Sequence, residues 1–285
     1  MITSPRELWR ILRDAFGEFN RENVGRLGAA LAYYTLFALA PLLVVAIGVA
    51  GMAFGEDAAR GEVVAQIDGL IGRSGAEAVQ AMLVSANPPE RSIPATIVGL
   101  IALFLGATSA FAALQGALNK VWNVEDTQPG GVKGFLRGRL LSFGLVLGIG
   151  FLLLVSLALS AALSAIGNLM ASRLPGGATL WMVANFAISF GFTTVLFAMI
   201  FKVLPDVKLS WRDVWLGGVI TAFFFTLGKF LIGLYLGHSA VGSSFGAAGS
   251  VVIILLWIYY SSQIVLFGAE VTQAVVKRLG PEQSR

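Results

Sequence analysis

The sequence predicts an all-α polytopic membrane protein with six transmembrane helices and both termini in the cytoplasm. Hydrophobic residues make up 56% of the 285 residues and charged residues only 13%, about half the charged share of a soluble domain. The apolar residues fall into six long runs, each of about 20 residues or more, which is the length that spans a bilayer as a helix. Lys and Arg gather in alternate connecting segments, as the positive-inside rule requires.

Residues 1–26 are predicted to form a cytoplasmic amphipathic helix. Ser4 and Glu7 have the spacing of a capping box, with Pro5 at the first helical position. Apolar residues then recur at helical spacing: Leu8, Leu12, Phe16 and Phe19. The periodicity leaves two interpretations open, a helix lying on the inner leaflet or a cap packed on the bundle. No cleavable signal peptide is expected, because this segment is too charged to contain an apolar h-region.

The membrane domain is predicted over residues 27–271, because backbone groups in lipid must bond within their own helix. The predicted spans are at about 27–54, 93–114, 140–166, 180–204, 214–237 and 249–270. The external loop 55–92 carries apolar residues at helical spacing, which predicts a pair of short helices over the outer mouth of the bundle. Residues 272–285 form the predicted cytoplasmic tail.

The basic residues set the predicted orientation. Of the 20 Lys and Arg residues, fifteen fall on the side of the termini, four fall on the other side, and Lys229 lies within a span. This asymmetry predicts that both termini are cytoplasmic. The sequence pI of about 9.6 is explained by this topology. The lipid bilayer is therefore the expected partner, and no nucleic-acid partner is expected.

The chain has no cysteine and a single histidine, which excludes disulfides, thiolate metal sites and clusters of histidine ligands. No metal site and no cofactor are predicted. The sequence shows no internal repeat, so an inverted-repeat transporter is not supported. Whether the chain forms a homo-oligomer is left open.

Two charged residues inside the predicted spans are candidates for a substrate pathway. Lys229 lies in the outer part of the fifth span, where a lysine is costly unless it is paired, hydrated or extended to the headgroups. Glu270 lies near the cytoplasmic end of the sixth span, so the two cannot pair. An ion pair of Glu270 with Lys202 or Arg139 is favoured over a proton relay.

Further candidates form two polar stripes at helical spacing. Tyr259, Gln263 and Glu270 share a stripe on the sixth span, and Thr108, Gln115 and Asn119 share a face of the second. Such stripes line an aqueous path or act as interhelical hydrogen bonds.

The first span adds two candidates, Tyr33 and Pro41. The proline frees a backbone carbonyl and is expected to kink the helix. The tyrosine is either part of the pathway or simple packing.

Residues 242–246 read GSSFG, which matches the G-x-S-x-G motif of serine hydrolases, and His238 is close by. A nucleophile elbow needs a strand before the serine, and none is expected here. A flexible turn over Gly242, Gly246 and Gly249 is the preferred interpretation. A hydrolase using Ser244 stays a remote alternative.

Four motifs, in order along the chain, are similar to those of the YihY/BrkB family of bacterial inner-membrane proteins. They are GAALAYYTLFALAPLL at 28–43, FAALQGALNKVW at 111–122, LLWIYY at 255–260 and LFGAE at 266–270. The resemblance implies six spans and, for some members, an association with virulence and serum resistance. The family was once labelled ribonuclease BN, but a lone histidine and acids scattered across both sides of the membrane argue against a metallonuclease.

Three hypotheses follow from these observations. The leading one is a transporter or flippase-like protein for an envelope-related solute or lipid, and no enzymatic activity is expected. The alternative is a non-transporting membrane scaffold that uses the N-terminal helix and external loop, and the remote one is the serine hydrolase. Neutralising Lys229 or Glu270 should impair a transporter most, deleting residues 1–22 should impair a scaffold most, and Ser244→Ala should abolish only a hydrolase.

Overall fold

A computed structural model of the protein describes residues 5–86, 109–124, 177–238 and 241–279, and all regular structure in these segments is helical. The helices, in chain order, are α1 Pro5–Arg21, α2 Val24–Phe54, α3 Glu56–Ala86, α4 at residues 109–121, α5 Gly177–Val203, α6 Trp211–His238 and α7 Val241–Leu279. The all-α prediction is confirmed for this part of the chain.

Three described helices are long and apolar enough to cross a membrane, over Met182–Val203, Trp211–Leu231 and Val251–Arg278. They coincide with the predicted spans at 180–204, 214–237 and 249–270, and α2 coincides with the predicted span at 27–54. The predicted span at 140–166 and most of the one at 93–114 lie outside the described residues.

Helix α7 is the centre of the described bundle, packing against α1, α2, α3 and α6. Its crossing with α6 is close because small residues meet there. A methyl group added at Gly268 would collide with the hydroxyl of Thr221, and one at Gly217 would meet the carbonyl oxygen of Gly268 at 2.5 Å. Small residues let transmembrane helices approach in this way where no hydrophobic effect drives them together.

Helix α5 packs on the other side of α6 through a similar contact. A methyl group at Gly218 would lie 2.9 Å from the carbonyl oxygen of Thr194 and 3.1 Å from the Cβ of Ala198. The largest apolar cluster among the described residues lies around this contact and includes the buried side chains of Phe201, Val214 and Leu266. Helices α5, α6 and α7 therefore form one tightly packed unit.

Helix α3 is a pair of helices, as the sequence predicts for the external loop. Gly72 interrupts the helical backbone with φ 76° and ψ 172°, a conformation that glycine adopts without steric cost. Val79 and Leu83 of the second half are buried against Ile254 and Trp257 of α7. The loop therefore covers one end of α7 with an apolar face of its own.

Helix α1 packs on the opposite end of α7. Ile11 and Ala15 are fully buried against Val271 and Val275. The opposite side of α1 leaves Trp9 68% exposed. Helix α1 therefore packs on the bundle, and it begins at Pro5 as predicted, whereas its cytoplasmic location stays a prediction.

The predicted turn over Gly242, Gly246 and Gly249 is wrong, because α7 begins at Val241 and contains all three glycines. The helix-destabilising effect of glycine is about 1 kcal/mol per residue in water. Backbone groups left unbonded in lipid cost more than this, so a helix is the better solution at the end of a span.

Candidate functional site

The most unusual group in the described residues is the carboxylate of Glu270. Its side chain is 0% exposed, and neither of its oxygens has a hydrogen-bond partner among the residues described. It lies eight residues before Arg278, which is roughly 12 Å along the helix axis. Helix α7 places it within the candidate span, between the buried side chains of Ala269 and Val271.

Among the acidic residues, Glu22 has the strongest electrostatic interaction with Glu270, followed by Glu18. Glu22 lies in the turn between α1 and α2, where Asn23 adopts the left-handed conformation with φ 52°. This conformation allows α1 to end at Arg21 and α2 to begin at Val24, because asparagine tolerates it better than most residues. The turn thus brings an acidic residue next to the buried part of α7.

The Glu22 carboxyl is itself half-buried, and one of its oxygens has no hydrogen-bond partner among the described residues. Burial raises the pKa of Glu22 above its ordinary value, and the nearby charge of Glu18 adds to the effect. Lys277, Lys120 and a hydrogen bond from Asn123 oppose it but do not reverse it. Glu22 is therefore a group that takes up a proton more readily than an exposed glutamate.

A polar cleft of about 290 Å³ opens beside these acids, between α1 and the end of α7. Glu18 and Lys277 both line it, and Gln273 forms part of its wall. Glu18, Glu22 and Glu270 therefore form a series that leads from an open polar cleft to a fully buried carboxylate.

The predicted ion pair between Lys202 and Glu270 is wrong. The Nζ atom of Lys202 donates to the carbonyl oxygen of Leu209 at 2.7 Å and lies 5.5 Å from the ring centre of Trp211. The lysine is used to close the loop between α5 and α6, so it does not reach the carboxylate. The other predicted partner, Arg139, lies outside the described residues.

Gln115 and Asn119 of α4 bind the loop between α5 and α6. The Nδ2 atom of Asn119 donates to the carboxylate of Asp206 at 2.7 Å, and its Oδ1 accepts from the backbone N–H of Asp206 at 2.8 Å. Gln115 donates to the same carboxylate at 3.3 Å. These two predicted pathway residues act as interhelical hydrogen bonds in this structure.

The end of α4 holds this network in place. Asn123 has a left-handed φ of 52°, the N–H of Val124 donates to the carbonyl of Asn119, and the N–H of Asn123 donates to that of Lys120. This is a Schellman motif, which satisfies the last carbonyls of a helix. Gln273 of α7 then donates to the carbonyl of Val121.

Gln263 and Tyr259 face the start of α2. The Nε2 atom of Gln263 donates to the carbonyl of Gly25 at 3.2 Å, and a methyl group at Gly28 would collide with the Gln263 amide. The hydroxyl of Tyr259 lies 4.0 Å from the position that a Cβ on Gly25 would take. The predicted stripe on α7 therefore runs along the crossing with α2 and ends at Glu270.

The structure separates the remaining candidates from this site. Lys229 is exposed on α6. Tyr33 is exposed on α2, where its ring centre lies 4.8 Å from that of Phe37. Helix α2 continues on both sides of Pro41, so the predicted kink there stays a prediction. Thr108 lies outside the described residues.

Sequence reasoning missed three acidic groups of the site, Glu18, Glu22 and Asp206. All three lie outside the apolar runs, where acids are common and carry no signal of their own. For Asp206 a signal exists, since Pro205 fixes a turn directly after a span and an acid there can reach a neighbouring helix end. Across the described residues, no group of three His, Asp or Glu side chains is placed to hold a metal ion.

Comparison with known proteins finds related membrane proteins. The family model described as virulence factor BrkB matches residues 15–285. A UPF0761 membrane protein of Pseudomonas aeruginosa (strain LESB58) is 31% identical over 85% of this chain and 56% of its own length. Relatives of the same description come from Psychrobacter sp. (27%, over 93% of this chain and 48% of the relative) and Rhodospirillum centenum (30%, over 95% and 60%).

The chain thus spans roughly half to three fifths of the length of these curated relatives. No solved structure matches. The match of one family model over nearly the whole chain, together with the relatives at about 30% identity, identifies the lineage of the sequence. The chain belongs to the BrkB family, and the relatives compared with it are membrane proteins.

Proposed function

We propose that this chain is a transporter of flippase type for an envelope-related solute or lipid, in which Glu270 exchanges a proton during the transport cycle. The observation that carries the proposal is the complete burial of the Glu270 carboxylate inside a candidate span, with no hydrogen-bond donor among the described residues. Ionisable groups within the membrane are costly, and they mark ion and proton pathways in transporters.

The chemistry of an isolated carboxyl group supports a proton as the exchanged ion. A buried carboxylate without a donor is expensive, and adding one proton removes its charge. A structural ion pair would instead bring a cation to the group, as predicted for Lys202. The Lys202 ammonium donates to the carbonyl of Leu209 instead, so among the described residues a proton is the simpler way to neutralise Glu270.

The route for that proton leads through the acids at the end of the bundle. Glu18 lines the polar cleft, and Glu22 lies between α1 and α2 with a raised pKa. A proton that enters the cleft therefore has two carboxyl groups on its way to Glu270. Lys277 borders the same cleft and adds a positive charge beside these acids.

The orientation in the membrane is part of the proposal. The excess of Lys and Arg on the side of the termini supports a cytoplasmic location for α1, the polar cleft and the end of α7. The protein then lies in the bacterial inner membrane and exchanges protons with the cytoplasm. Lys229 and Tyr259, both exposed, are the proposed contacts for substrate.

The experiment measures lipid movement in liposomes. The full chain is reconstituted, and a fluorescent phospholipid in the outer leaflet is followed by dithionite quenching, with and without an imposed pH difference. We expect protein-dependent equilibration between leaflets that responds to the pH difference. Glu270→Gln should reduce the rate at least about tenfold, because the amide cannot exchange a proton.

The matched control is Glu77→Gln, which changes an exposed acid of α3 and should leave the rate unchanged. Equal rates for the two variants would overturn the role of Glu270. Liposomes that contain folded protein but move no lipid would favour the scaffold hypothesis, for which deletion of residues 1–22 is the decisive change. Ser244→Ala should have no effect, since Ser244 lies within helix α7.

A further inference from the structure

A second cavity lies beside α1 and, unlike the polar cleft, is lined by apolar surface. Its volume is about 570 Å³, within the range of about 300–1,000 Å³ that is typical of small-molecule sites. Its walls come from α1, α5, α6 and α7 and are almost wholly apolar. Aromatic side chains dominate the lining: Trp9, Phe16, Phe190, Phe223, Phe224 and Phe267.

The walls show what environment the groove faces. Phe190, Phe223 and Phe267 belong to the three helices that are candidate membrane spans. Trp9 and Phe16 of α1 are 68% and 60% exposed, so the groove is open on the α1 side. An open apolar groove between membrane-spanning helices meets hydrocarbon, and the molecules available to fill it are lipid acyl chains.

Arg13 places a positive charge at the end of this groove. It lines both the apolar groove and the polar cleft, and it is the only residue shared by the two in the described part of the chain. Its side chain is 72% exposed, and its contact with Asp14 is at 4.0 Å. The Asp14 carboxylate is instead engaged by Arg278. The Arg13 guanidinium is therefore largely available to an anion.

The cleft beyond Arg13 carries an excess of positive charge. Four cationic side chains line it, Arg13, Arg21, Lys277 and Arg278, against the two acids Asp14 and Glu18. An apolar groove that ends at an arginine and continues into a cationic cleft is complementary to an amphipathic anion. Arginine binds phosphate with two parallel hydrogen bonds, which lysine cannot do.

We propose that the groove between α1 and helices α5 to α7 binds an anionic phospholipid, with an acyl chain among the aromatic side chains and the phosphate at Arg13. This site goes beyond the proposed transport function. Glu270 lines neither cavity, so lipid binding here does not depend on proton exchange there.

The test uses native mass spectrometry of the full chain in detergent, titrated with phosphatidylglycerol and with phosphatidylcholine of the same acyl chains. We expect wild-type protein to prefer phosphatidylglycerol by about tenfold, the gain that one charge-assisted hydrogen bond supplies. Arg13→Gln should remove this preference, and Arg13→Lys should retain part of it. Arg10→Gln is the matched control, since Arg10 is exposed on the same helix and lines neither cavity.

A second pair of variants tests the apolar part of the site. Phe223→Ala should weaken the binding of both lipids to the same extent. Phe230 is exposed on the same helix but lies outside the groove, so Phe230→Ala should leave the binding of both unchanged. Glu270→Gln should bind lipid as wild type does, even if transport is lost. Equal affinity of wild type for the two lipids, or equal losses for Arg10→Gln and Arg13→Gln, would overturn the proposal.

Discussion

Two faces of α7 carry polar groups within the candidate span, and they differ in whether those groups are hydrogen-bonded. On the face toward α6, Thr272 donates to the carbonyl of Gly268 within its own helix, and Tyr260 donates to the carbonyl of Phe224 across the contact at 2.8 Å. On the face toward the α1–α2 turn, Glu270 has no hydrogen-bond partner among the described residues. The first face is sealed by close packing, and the second leads to a polar cleft.

The difference separates polar residues at the packed helix contact from Glu270, whose carboxylate is free to take up a proton in the proposed cycle. Thr221 of α6 follows the same pattern as Thr272, donating to Gly217 four residues earlier at 2.8 Å. Each of these hydroxyls donates to a carbonyl of its own helix. The two helices can therefore approach closely without burying an unpaired hydroxyl. The Glu270 carboxylate, which has no partner among the described residues, supports the role proposed for it, because packing alone would not retain such a group.

The largest effect is expected from breaking the sealed face. Gly268→Ala places a methyl group against Thr221 and Phe201, both of which are buried. We expect the free energy of unfolding to fall by about 3 kcal/mol, at the upper end of the cost of overpacking a core. Thermal unfolding in detergent, with gel filtration to detect dissociated or aggregated protein, measures the change.

The matched control is Gly191→Ala on α5, where an added methyl group meets nothing within 4 Å. This variant should be neutral or more stable by up to about 1 kcal/mol, because alanine favours the helix. A double variant that adds Thr221→Ala to Gly268→Ala should recover part of the loss. If Gly268→Ala unfolds at the same temperature as wild type, the close crossing of α6 and α7 is not a source of stability.

Much of the fold follows from the sequence because the bilayer imposes it. Runs of apolar residues of sufficient length had to become helices, and the predicted spans coincide with α2, α5, α6 and α7. The helical pair of α3, in the predicted external loop, also followed from apolar spacing. The prediction failed over the glycines of 242–249, because the cost of unbonded backbone groups in lipid outweighs the turn propensity of glycine there.

The site was predicted only in part. Glu270 stands out in the sequence because it is an acid inside an apolar run. Its environment depends on which loops reach it, and that is a matter of tertiary packing. Depth alone suggested Lys202 as a partner, but the loop between α5 and α6 folds back and uses that lysine itself. The acids Glu18 and Glu22 gain their importance only when α1 packs along α7.

A smaller effect is expected from the polar network at the end of α4, which sharpens the contrast with Glu270. Asn119→Ala removes a bond to the Asp206 carboxylate and leaves the Asp206 N–H unpaired. We expect a loss of about 1–2 kcal/mol in the free energy of unfolding, moderated because Asp206 is exposed. Gln115→Ala, whose bonds are longer at 3.3 Å, should cost less. A reversed order would show that Asn119 is not the principal tie.

The raised pKa of Glu22 predicts a pH dependence. Between the unfolded and folded pKa values the folded protein binds more protons than the unfolded chain, so stability falls as the pH rises through that interval. Glu22→Gln removes the titrating group. The variant should match wild type below pH of about 4.5 and exceed it in melting temperature toward neutral pH.

Asp68→Asn, an exposed acid on α3, is the control for this titration and should follow the wild-type curve at every pH. A Glu22→Gln variant that is less stable than wild type at neutral pH would mean that the attraction to Lys277 and Lys120 outweighs burial. In that case Glu22 is a charged anchor, and the series of acids leading to Glu270 is interrupted.

The smallest effect is expected from the ion pair between Asp14 and Arg278, which joins α1 to the end of α7. Their side chains are 39% and 32% exposed, so solvent and salt screen the interaction. A double-mutant cycle with Asp14→Asn and Arg278→Gln should give a coupling of about 0.5 kcal/mol that disappears in high salt. Ile11 is fully buried in the same contact, and its apolar packing is what fixes α1. A coupling above about 2 kcal/mol would show instead that charge holds α1 in place, and the polar cleft would then open at high ionic strength.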